Sequence, residues 1–406
     1  MTVSTFPSSD RQWPARPAPS RFRIVQWTMV TAVLLVGYSA GPPARGADEP
    51  DTGRESMQPV DAPTSPEPSV SRRAGILAPP AGGASSLLPQ HVTPQTQAAI
   101  DRGLAYLVRN QGPDGAWRNE GGYGRYPVAM SALAGLAFLM DGNTTTQGRY
   151  ARQVDEVTRF LVESANADGL LARGDGEGRP MYGHGFGLLF LSQLYGTAED
   201  PARQEVIGDV LRRGVELIAR SQSSLGGWYY RPTDRTDEGS VTVTQVQALR
   251  SCRNAGIAVP REVINSAMNY LALSARSDGG IAYRASMRRG SSRPAITAAA
   301  VCCWFNAGEY DHPLALRGLE YCKANISVGE ARQGHYYYAH LYLAQALYLA
   351  GPDEWDHYFP QIRDRLVSTQ YSDGHWHGAG VGTTYGTSIA LIILQLPHSR
   401  LPIMQR

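Results

Sequence analysis

The residues of this chain best suited to acid–base chemistry are His184, Asp237 and Glu238. The two carboxylates come just before an apolar stretch that begins at Val241. A carboxyl group in that place can donate a proton when burial keeps it protonated. It can equally cap a helix, because the N-terminal end of a helix carries partial positive charge. Both roles are open from the sequence, and capping is the simpler one.

A second set of polar and aromatic residues lies where loops lead into the apolar stretches of the chain. Tyrosine outnumbers phenylalanine by 21 to 8, which favours a polar ligand such as a glycan or peptide over a hydrocarbon. Aromatic walls with a few charged groups are typical of a small-molecule site, although tyrosines can also hydrogen-bond between helices. The candidate ligand-binding residues are Tyr123, Arg125, Tyr126, Tyr182, Arg293, His335, Tyr336, Tyr337 and Tyr385.

Histidine and cysteine are not arranged in a way that favours a metal site. His375 and His377 flank Trp376, and histidines one residue apart share a metal ion only where the chain is extended. We expect no metal ligands and no cofactor. The cysteines fall within predicted helices, which favours buried free thiols over disulfides. They are Cys252, Cys302, Cys303 and Cys322.

The segments that would position these residues repeat about six times between Ile100 and Leu396. In the clearest copies, at 104–117, 215–230 and 365–376, an Asp-Gly or Gly-Gly turn is followed by an aromatic residue. The turns recur every 53 to 57 residues from Asp114 to Asp278. The fifth copy, 314–325, keeps its helical pattern but lacks the turn. A repeat of this kind is typical of stacked supersecondary units.

Each copy has the same internal order: an amphipathic stretch, the turn, a loop, and a second stretch that is apolar on nearly all faces. This order predicts a helical hairpin with an outer and a buried helix. No polar capping repeat is present at either end, so we predict a closed ring, an all-α alpha/alpha toroid of six helical hairpins, over an open solenoid. The predicted inner stretches are 128–139, 185–194, 241–249, 295–305, 339–349 and 387–396.

The segments 111–117, 222–228 and 370–376 each join a Gln to the Gly turn and a Trp. They resemble the repeat of the terpenoid cyclase and protein prenyltransferase superfamily, which includes the squalene cyclases. The resemblance covers residues 94–398 and implies an alpha/alpha toroid with a central reaction cavity. The family's catalytic motifs are not matched: Ser240 and Val241 stand at the acid positions of the cyclase Asp-x-Asp-Asp run, and no Asp-x-Cys zinc motif occurs.

Residues 1–47 have the layout of an export signal peptide or N-terminal anchor, with arginines before an apolar run and small residues after it. Residues 48–93 are rich in Pro, Ser and Gly, which predicts a disordered linker. The toroid would occupy 94–398. We expect an exported protein, periplasmic or extracellular, that contacts a membrane only if the apolar run is retained. A net charge of +2 without a basic run in the repeats makes nucleic acid an unexpected partner.

Two functions follow as hypotheses. The first is a protein that binds a small molecule, glycan or protein partner in the toroid cavity, without cyclase or prenyltransferase chemistry. The second is an enzyme, resembling a terpenoid cyclase or a polysaccharide lyase, whose acid and histidine cluster lies on the cavity rim. That cluster would consist of His184, Asp237, Glu238, Arg293 and His335.

Overall fold

A computed structural model describes residues 88–118, 121, 125–174, 177–197, 200–287, 290–329 and 335–405. The predicted leader, most of the predicted linker and Tyr123 lie outside the described residues. Twelve α-helices and two short 3-10 helices account for the regular structure of the described ranges. The helices are α1 (Pro94–Arg109), α2 (Pro127–Met140), α3 (Ala151–Glu163), α4 (Pro180–Leu194), α5 (Pro201–Ser221), α6 (Gly239–Asn254), α7 (Arg261–Leu273), α8 (Pro294–Asn306), α9 (Pro313–Asn325), α10 (Tyr336–Ala350), α11 (Pro352–Thr369) and α12 (Thr383–Gln395).

The helices alternate between an outer and an inner layer. Odd-numbered helices are amphipathic and expose charged residues, such as Arg212 and Glu216 of α5. Even-numbered helices are buried on nearly every face, and α2 is buried at every residue from Val128 to Met140. Several helices begin with proline at their first position, where the missing N–H costs nothing. Because prolines and polar residues occupy first turns, α4 and α12 begin about one turn before the predicted inner stretches.

The six hairpins form a closed ring. Each inner helix packs on the next, and α12 packs on α2. The outer helix α1 of the first hairpin packs on α11 and α12 of the last. The predicted all-α toroid of six hairpins is confirmed. Among the described residues, no helix is both long and apolar enough to cross a membrane.

In hairpins one, three and six the glutamine of the repeat joins the turn to the following hairpin. The side-chain amide of Gln111 donates to the carbonyl of Gly115 in its own turn and to that of Gln153 in α3. The amide of Gln370 does the same for the last turn, with a bond of 2.9 Å to the carbonyl of Ala99 in α1. One local motif therefore both joins successive hairpins and closes the ring.

The glycine and the tryptophan of the repeat complete this joint. Gly374 has a φ of +99°, and a Cβ there would lie 2.3 Å from the Arg102 carbonyl oxygen of α1. Only glycine permits so close an approach. The indole N–H of Trp376 donates to the Leu366 carbonyl at 2.7 Å, and the side chain is fully buried. Trp117 and Trp228 make the equivalent bonds in hairpins one and three.

Side chains fill the interior of the ring. Beyond their first turns the inner helices leave almost no exposed surface, and Leu133 and Leu391 are at most 1% exposed. The Gln247 amide of α6 donates to Gln345 Oε1 of α10 at 3.0 Å, although α8 lies between these helices in the ring. The sequence-based expectation of a central hollow is corrected for the described residues: bulky side chains and paired amides occupy that volume.

At the end of the ring formed by the C-terminal ends of the inner helices, the segment after α12 covers α2 and α4. The backbone N–H of Ile403 donates to Gln193 Oε1 at 3.4 Å, and the Arg400 guanidinium donates to the Met140 carbonyl at 3.1 Å. Ile403 and Met404 are both buried. We call the other end of the ring the mouth. The mouth consists of the N-terminal ends of the even-numbered helices and the loops that precede them.

Candidate functional site

Four tyrosines gather at the mouth where α4, α6 and the loop before α8 meet. The hydroxyl groups of Tyr230 and Tyr283 are 2.5 Å apart, and the ring centroids of Tyr229 and Tyr230 are 4.1 Å apart. Tyr182 lies 6.1 Å from Tyr230, centroid to centroid. All four side chains are half-buried, so each presents part of its ring to solvent. We call this group the tyrosine cluster.

Two arginines stack on the tyrosine cluster. The Arg179 guanidinium carbon lies 4.3 Å from the centroid of the Tyr230 ring, and that of Arg284 lies 4.8 Å from the Tyr229 ring. Arg284 also donates to the Tyr229 hydroxyl at 2.8 Å. Cation–π contacts of this kind hold guanidinium groups over aromatic faces. Burial raises the pKa of Tyr230, so its hydroxyl is neutral and able to donate or accept a hydrogen bond.

Glu238 caps α6, as the simpler sequence interpretation predicts. Its carboxylate accepts hydrogen bonds from the backbone N–H groups of Ser240 and Val241 at 2.8 and 2.6 Å, and from the Ser240 hydroxyl. The side chain has no exposed surface, and this burial raises its pKa although the hydrogen bonds favour the charged form. The Tyr182 hydroxyl lies 2.6 Å from Ser240 Oγ and 3.4 Å from Glu238 Oε1. Glu238 is thereby linked to the tyrosine cluster.

Asp237 points away from that network and stabilises the turn of the third hairpin. Its Oδ2 accepts a hydrogen bond from the Ser223 hydroxyl at 2.9 Å, and only 4% of the residue is exposed. A Cβ on Gly227 would lie 2.8 Å from Asp237 Cβ, so the carboxylate side chain packs directly on the Gly-Gly turn. The two neighbouring acids therefore serve different parts of the hairpin.

His184 is not brought to this cluster, because it lies between α4 and α5. Its Nδ1 accepts from the backbone N–H of Leu171 at 3.2 Å, which leaves Nε2 to donate to the Gly214 carbonyl at 3.3 Å. The side chain is completely buried, and burial lowers its pKa to about 4. Both nitrogens are occupied by backbone groups, and the ring is neutral at pH 7.

The same structural position recurs in four other hairpins, where it holds serine or threonine. In each, the backbone N–H two residues after the turn glycine donates to a hydroxyl on the inner helix. This position is therefore part of the hairpin joint, and the repeat itself is the sequence signal that identifies it. The bonds are Trp117 to Ser131 at 2.9 Å, Trp228 to Thr242 at 3.0 Å, Ile281 to Thr297 at 2.8 Å and Trp376 to Thr387 at 3.0 Å.

A second aromatic group lies at the mouth between α10 and α12. The rings of Tyr337 and Tyr385 meet edge to face at 6.3 Å, and Tyr336 lies 5.4 Å from Tyr337. The Tyr336 hydroxyl donates to the Val328 carbonyl at 3.0 Å, so that hydroxyl serves the fold. His335 is exposed and adopts a left-handed backbone conformation with a φ of 66°.

The remaining predicted residues lie singly around the mouth. Arg125 and Arg293 are exposed, and Tyr126 is half-buried next to the start of α2. Sequence reasoning missed Arg179, Arg284 and three members of the tyrosine cluster, because their neighbours come from hairpins more than 40 residues apart. A usable signal was the adjacent pair Tyr229 and Tyr230, directly after the repeat tryptophan.

Sequence reasoning also missed a second buried acid, Glu177. Its carboxylate accepts from the backbone N–H groups of Val128 at 3.4 Å and Arg173 at 2.9 Å. Only 6% of the residue is exposed, and burial raises its pKa. Glu177 caps the start of α2 from the following hairpin, so it repeats the structural task that Glu238 performs for α6.

The described ranges contain no group of three or more His, Cys, Asp or Glu side chains that could hold a metal ion. His375 instead pairs with Asp373 at 2.6 Å and stacks on Tyr371, with centroids 4.4 Å apart. The four cysteines are buried free thiols, as predicted. Burial raises the pKa of Cys302 to about 12, so its side chain stays a protonated, unreactive thiol at neutral pH.

No protein-family model matches this chain, and no curated protein matches its sequence. Solved structures do match. A protein from Actinoplanes is 17% identical over 75% of this chain and 99% of its own, with a TM-score of 0.51. A type II terpene cyclase from Scytonema in complex with its product, merosterolic acid A, is 14% identical over 75% and 97%, also at 0.51. A family 76 glycoside hydrolase, an alpha-mannanase from Bacteroides thetaiotaomicron, is 9% identical over 75% and 96%, at 0.56. At these identities the likeness establishes the alpha/alpha toroid fold alone.

Proposed function

We propose that this protein is an exported toroid that binds a polar ligand, a glycan or a peptide, at its mouth without cyclase or prenyltransferase chemistry. One observation carries the proposal: the partly exposed groups of the mouth are tyrosine rings and guanidinium groups, whereas Asp237 and Glu238 are buried and bonded within the fold. Such a surface offers faces for stacking and hydrogen-bond donors. Neither of these two acids is free to transfer a proton at the mouth.

The chemistry of the tyrosine cluster favours a ligand with many acceptor groups. Flat aromatic rings stack on the faces of sugars and on peptide side chains, and tyrosine hydroxyls add hydrogen bonds at their edge. Arg179, Arg284, Arg125 and Arg293 supply positive charge around the mouth, while the nearby Glu238 is fully buried. A ligand with carbonyl, hydroxyl or carboxylate oxygens would complement these donors.

The filled interior supports binding at the mouth over a cyclase reaction within the ring. A cyclase must enclose a long apolar substrate away from water, and the described inner helices leave no such space. The alpha-mannanase among the similar structures acts on a glycan, which agrees with a carbohydrate ligand here. Export follows from the layout of residues 1–47 and the linker that would tether the ring, with membrane contact only if the apolar run is retained.

A glycan and peptide array tests this proposal with the full chain after removal of the leader. We expect binding to defined sugars or peptides that weakens about fivefold or more in Tyr229→Ala and Arg179→Ala, because stacking and charged contacts are each worth about 1 kcal/mol or more. Tyr371→Ala is the matched control, since Tyr371 is 53% exposed and stacks on His375 outside the cluster. Binding that survives both cluster variants would contradict the proposal.

The alternative enzyme has one observation in its favour: Glu238 is a buried acid with a raised pKa, within 3.4 Å of a tyrosine hydroxyl. The catalytic reading would assign proton transfer to Glu238, Asp237 and His184. All three side chains form hydrogen bonds within the fold, which favours a structural role for each of them. Turnover of a polyprenyl or glycan substrate by the wild type, lost in Glu238→Gln, would establish the enzyme instead.

Glu238→Gln also gives a stability prediction. We expect the free energy of unfolding at pH 7 to change by about 1 kcal/mol, because an amide keeps one acceptor oxygen for the cap but loses the charge at the helix end. The folded-state pKa of Glu238 is raised, so the wild type contributes stability at low pH that fades as the pH climbs above the unfolded value. The variant should lack that slope. Urea unfolding between pH 4 and 8, with the exposed Glu216→Gln as control, measures the difference.

A further inference from the structure

A cavity of about 690 Å³ opens at the end of the ring opposite the mouth. It lies between the C-terminal ends of α6 and α8 and the side of α7. Arg250 of α6 lines it, twelve residues from Glu238, which places the two groups about 18 Å apart along the helix. We call it the arginine cavity. Its volume lies within the range of small-molecule sites, about 300 to 1,000 Å³.

Arg250 is the residue of this cavity whose contacts within the fold contribute least to stability. Its Nε is buried and has no hydrogen-bond partner within the described residues. A buried donor without a partner is unfavourable, and more so when the group is charged. Burial and the neighbouring Arg253 both lower the pKa of Arg250, which reflects the same cost.

The charge of the arginine cavity is unbalanced. Arg250, Arg253 and Arg261 line it together with one acid, Glu309. Within the described ranges, none of the three arginines forms an ion pair at 4.0 Å or less, in contrast to Arg213 of α5, which pairs with Asp209. Guanidinium groups that converge without carboxylate partners are suited to bind the oxygens of a carboxylate or phosphate.

The opposite wall of the cavity is apolar and aromatic. The Trp304 ring is only 1% exposed and stacks behind the half-buried His312, with centroids 5.2 Å apart and an interplanar angle of 13°. His312 together with Ile264 and Met268 of α7 forms this wall. His312 Nδ1 accepts from the backbone N–H of Leu314, which fixes the imidazole against the start of α9. The site therefore has a charged side and a flat side that face one volume.

We propose that the arginine cavity binds a small organic anion, in which a carboxylate or phosphate group is joined to an aromatic or apolar body. The oxyanion contacts Arg250 and Arg253, with Arg261 at the entrance, and the body packs on His312 and Met268. This site is separate from the mouth and does not depend on the function proposed for the mouth.

Isothermal titration calorimetry on the full chain tests this with phenyl phosphate and benzoate as probes. Phenol and inorganic phosphate, the two halves of phenyl phosphate, are titrated for comparison. We expect at least one of the two combined probes to bind at millimolar concentration or below, and each half to bind more weakly. Arg250→Met and Arg253→Gln should weaken binding of that probe about tenfold or more, since charge-assisted hydrogen bonds are worth about 1.5–3 kcal/mol each. Arg159→Gln, an exposed substitution on α3, is the control and should bind as the wild type does.

The melting temperature separates this result from misfolding. Arg250→Met should melt at or above the wild-type temperature without ligand, because it removes a half-buried charge that has no ion pair in the described ranges and keeps a long side chain. Loss of probe binding in a variant of undiminished stability supports the site. Failure of both combined probes to bind the wild type, or binding that Arg250→Met and Arg253→Gln leave unchanged, would overturn it.

Discussion

Replacing Trp376 with alanine is expected to lower the free energy of unfolding by about 3–5 kcal/mol, the usual cost of truncating a buried tryptophan. Trp376 is fully buried, and its indole N–H bonds to Leu366 within the last outer helix. A Cβ on Gly103 of α1 would lie 2.9 Å from the Trp376 ring, so the ring also packs directly on the first hairpin. The substitution therefore removes core volume at the seam where the ring closes.

Urea unfolding followed by circular dichroism measures this change. Tyr371→Ala serves as its control, since Tyr371 lies only five residues away and is 53% exposed. The control should change the free energy of unfolding by about 1 kcal/mol at most, since it loses only the stacking contact with His375. A loss of the same small size in Trp376→Ala would show that the seam between hairpins six and one is not packed in solution.

Acidification from pH 6.5 to 4 is expected to destabilise the protein through its buried histidines. Burial lowers the pKa of His184 to about 4, and that of His340 likewise. The unfolded chain binds protons at these histidines near pH 6.5, whereas the folded chain does not, so stability is lost as the pH falls through this window. At about 1.4 kcal/mol for each pKa unit, His184 alone accounts for a loss of the order of 3 kcal/mol at pH 4.

His184→Thr isolates this contribution. Threonine is the residue that three other hairpins use at the same position, so it can still accept the Leu171 N–H while lacking a titratable group. The variant should lose stability at pH 7 because it is smaller, yet lose less than the wild type between pH 6.5 and 4. Raised pKa values at Glu177 and Glu238 act in the opposite direction and cancel in the difference between the two proteins.

The exposed His357→Thr is the matched control for this experiment. Its pH profile of unfolding free energy should parallel that of the wild type. Equal acid sensitivity in His184→Thr and the wild type would mean that His184 is not held as a buried, neutral acceptor, and it would reopen a role for this residue in proton transfer.

The fold could be predicted because the residues that join one hairpin to the next lie close together in the sequence of the clearest repeats. Gln370, Gly374 and Trp376 are within seven residues, and each makes the bond or close approach that its type favours. The capping role of Glu238 could also be predicted, because it depends only on the N–H groups of Ser240 and Val241 in the first turn of α6. Contacts between residues close in sequence can be predicted without knowing which distant residues come together.

The contents of the ring could not be predicted, because they depend on contacts between distant hairpins. Gln247 and Gln345 meet across the interior although 98 residues separate them, and Ile403 reaches Gln193 from the far end of the chain. The contacts of His184 could not be predicted for a related reason. A histidine suggests acid–base chemistry, whereas at this position its Nδ1 accepts a hydrogen bond from the Leu171 N–H. The leader and the linker stay predictions.

Native mass spectrometry of the protein purified from its source tests the central claim, that the ring is filled and that its ligand is polar and bound at the mouth. We predict that a glycan or peptide accompanies the wild-type chain and is absent from the Tyr229→Ala, Arg179→Ala double variant prepared in the same way. A polyprenyl lipid retained by both proteins would contradict the account, because it would require an apolar hollow within the inner helices.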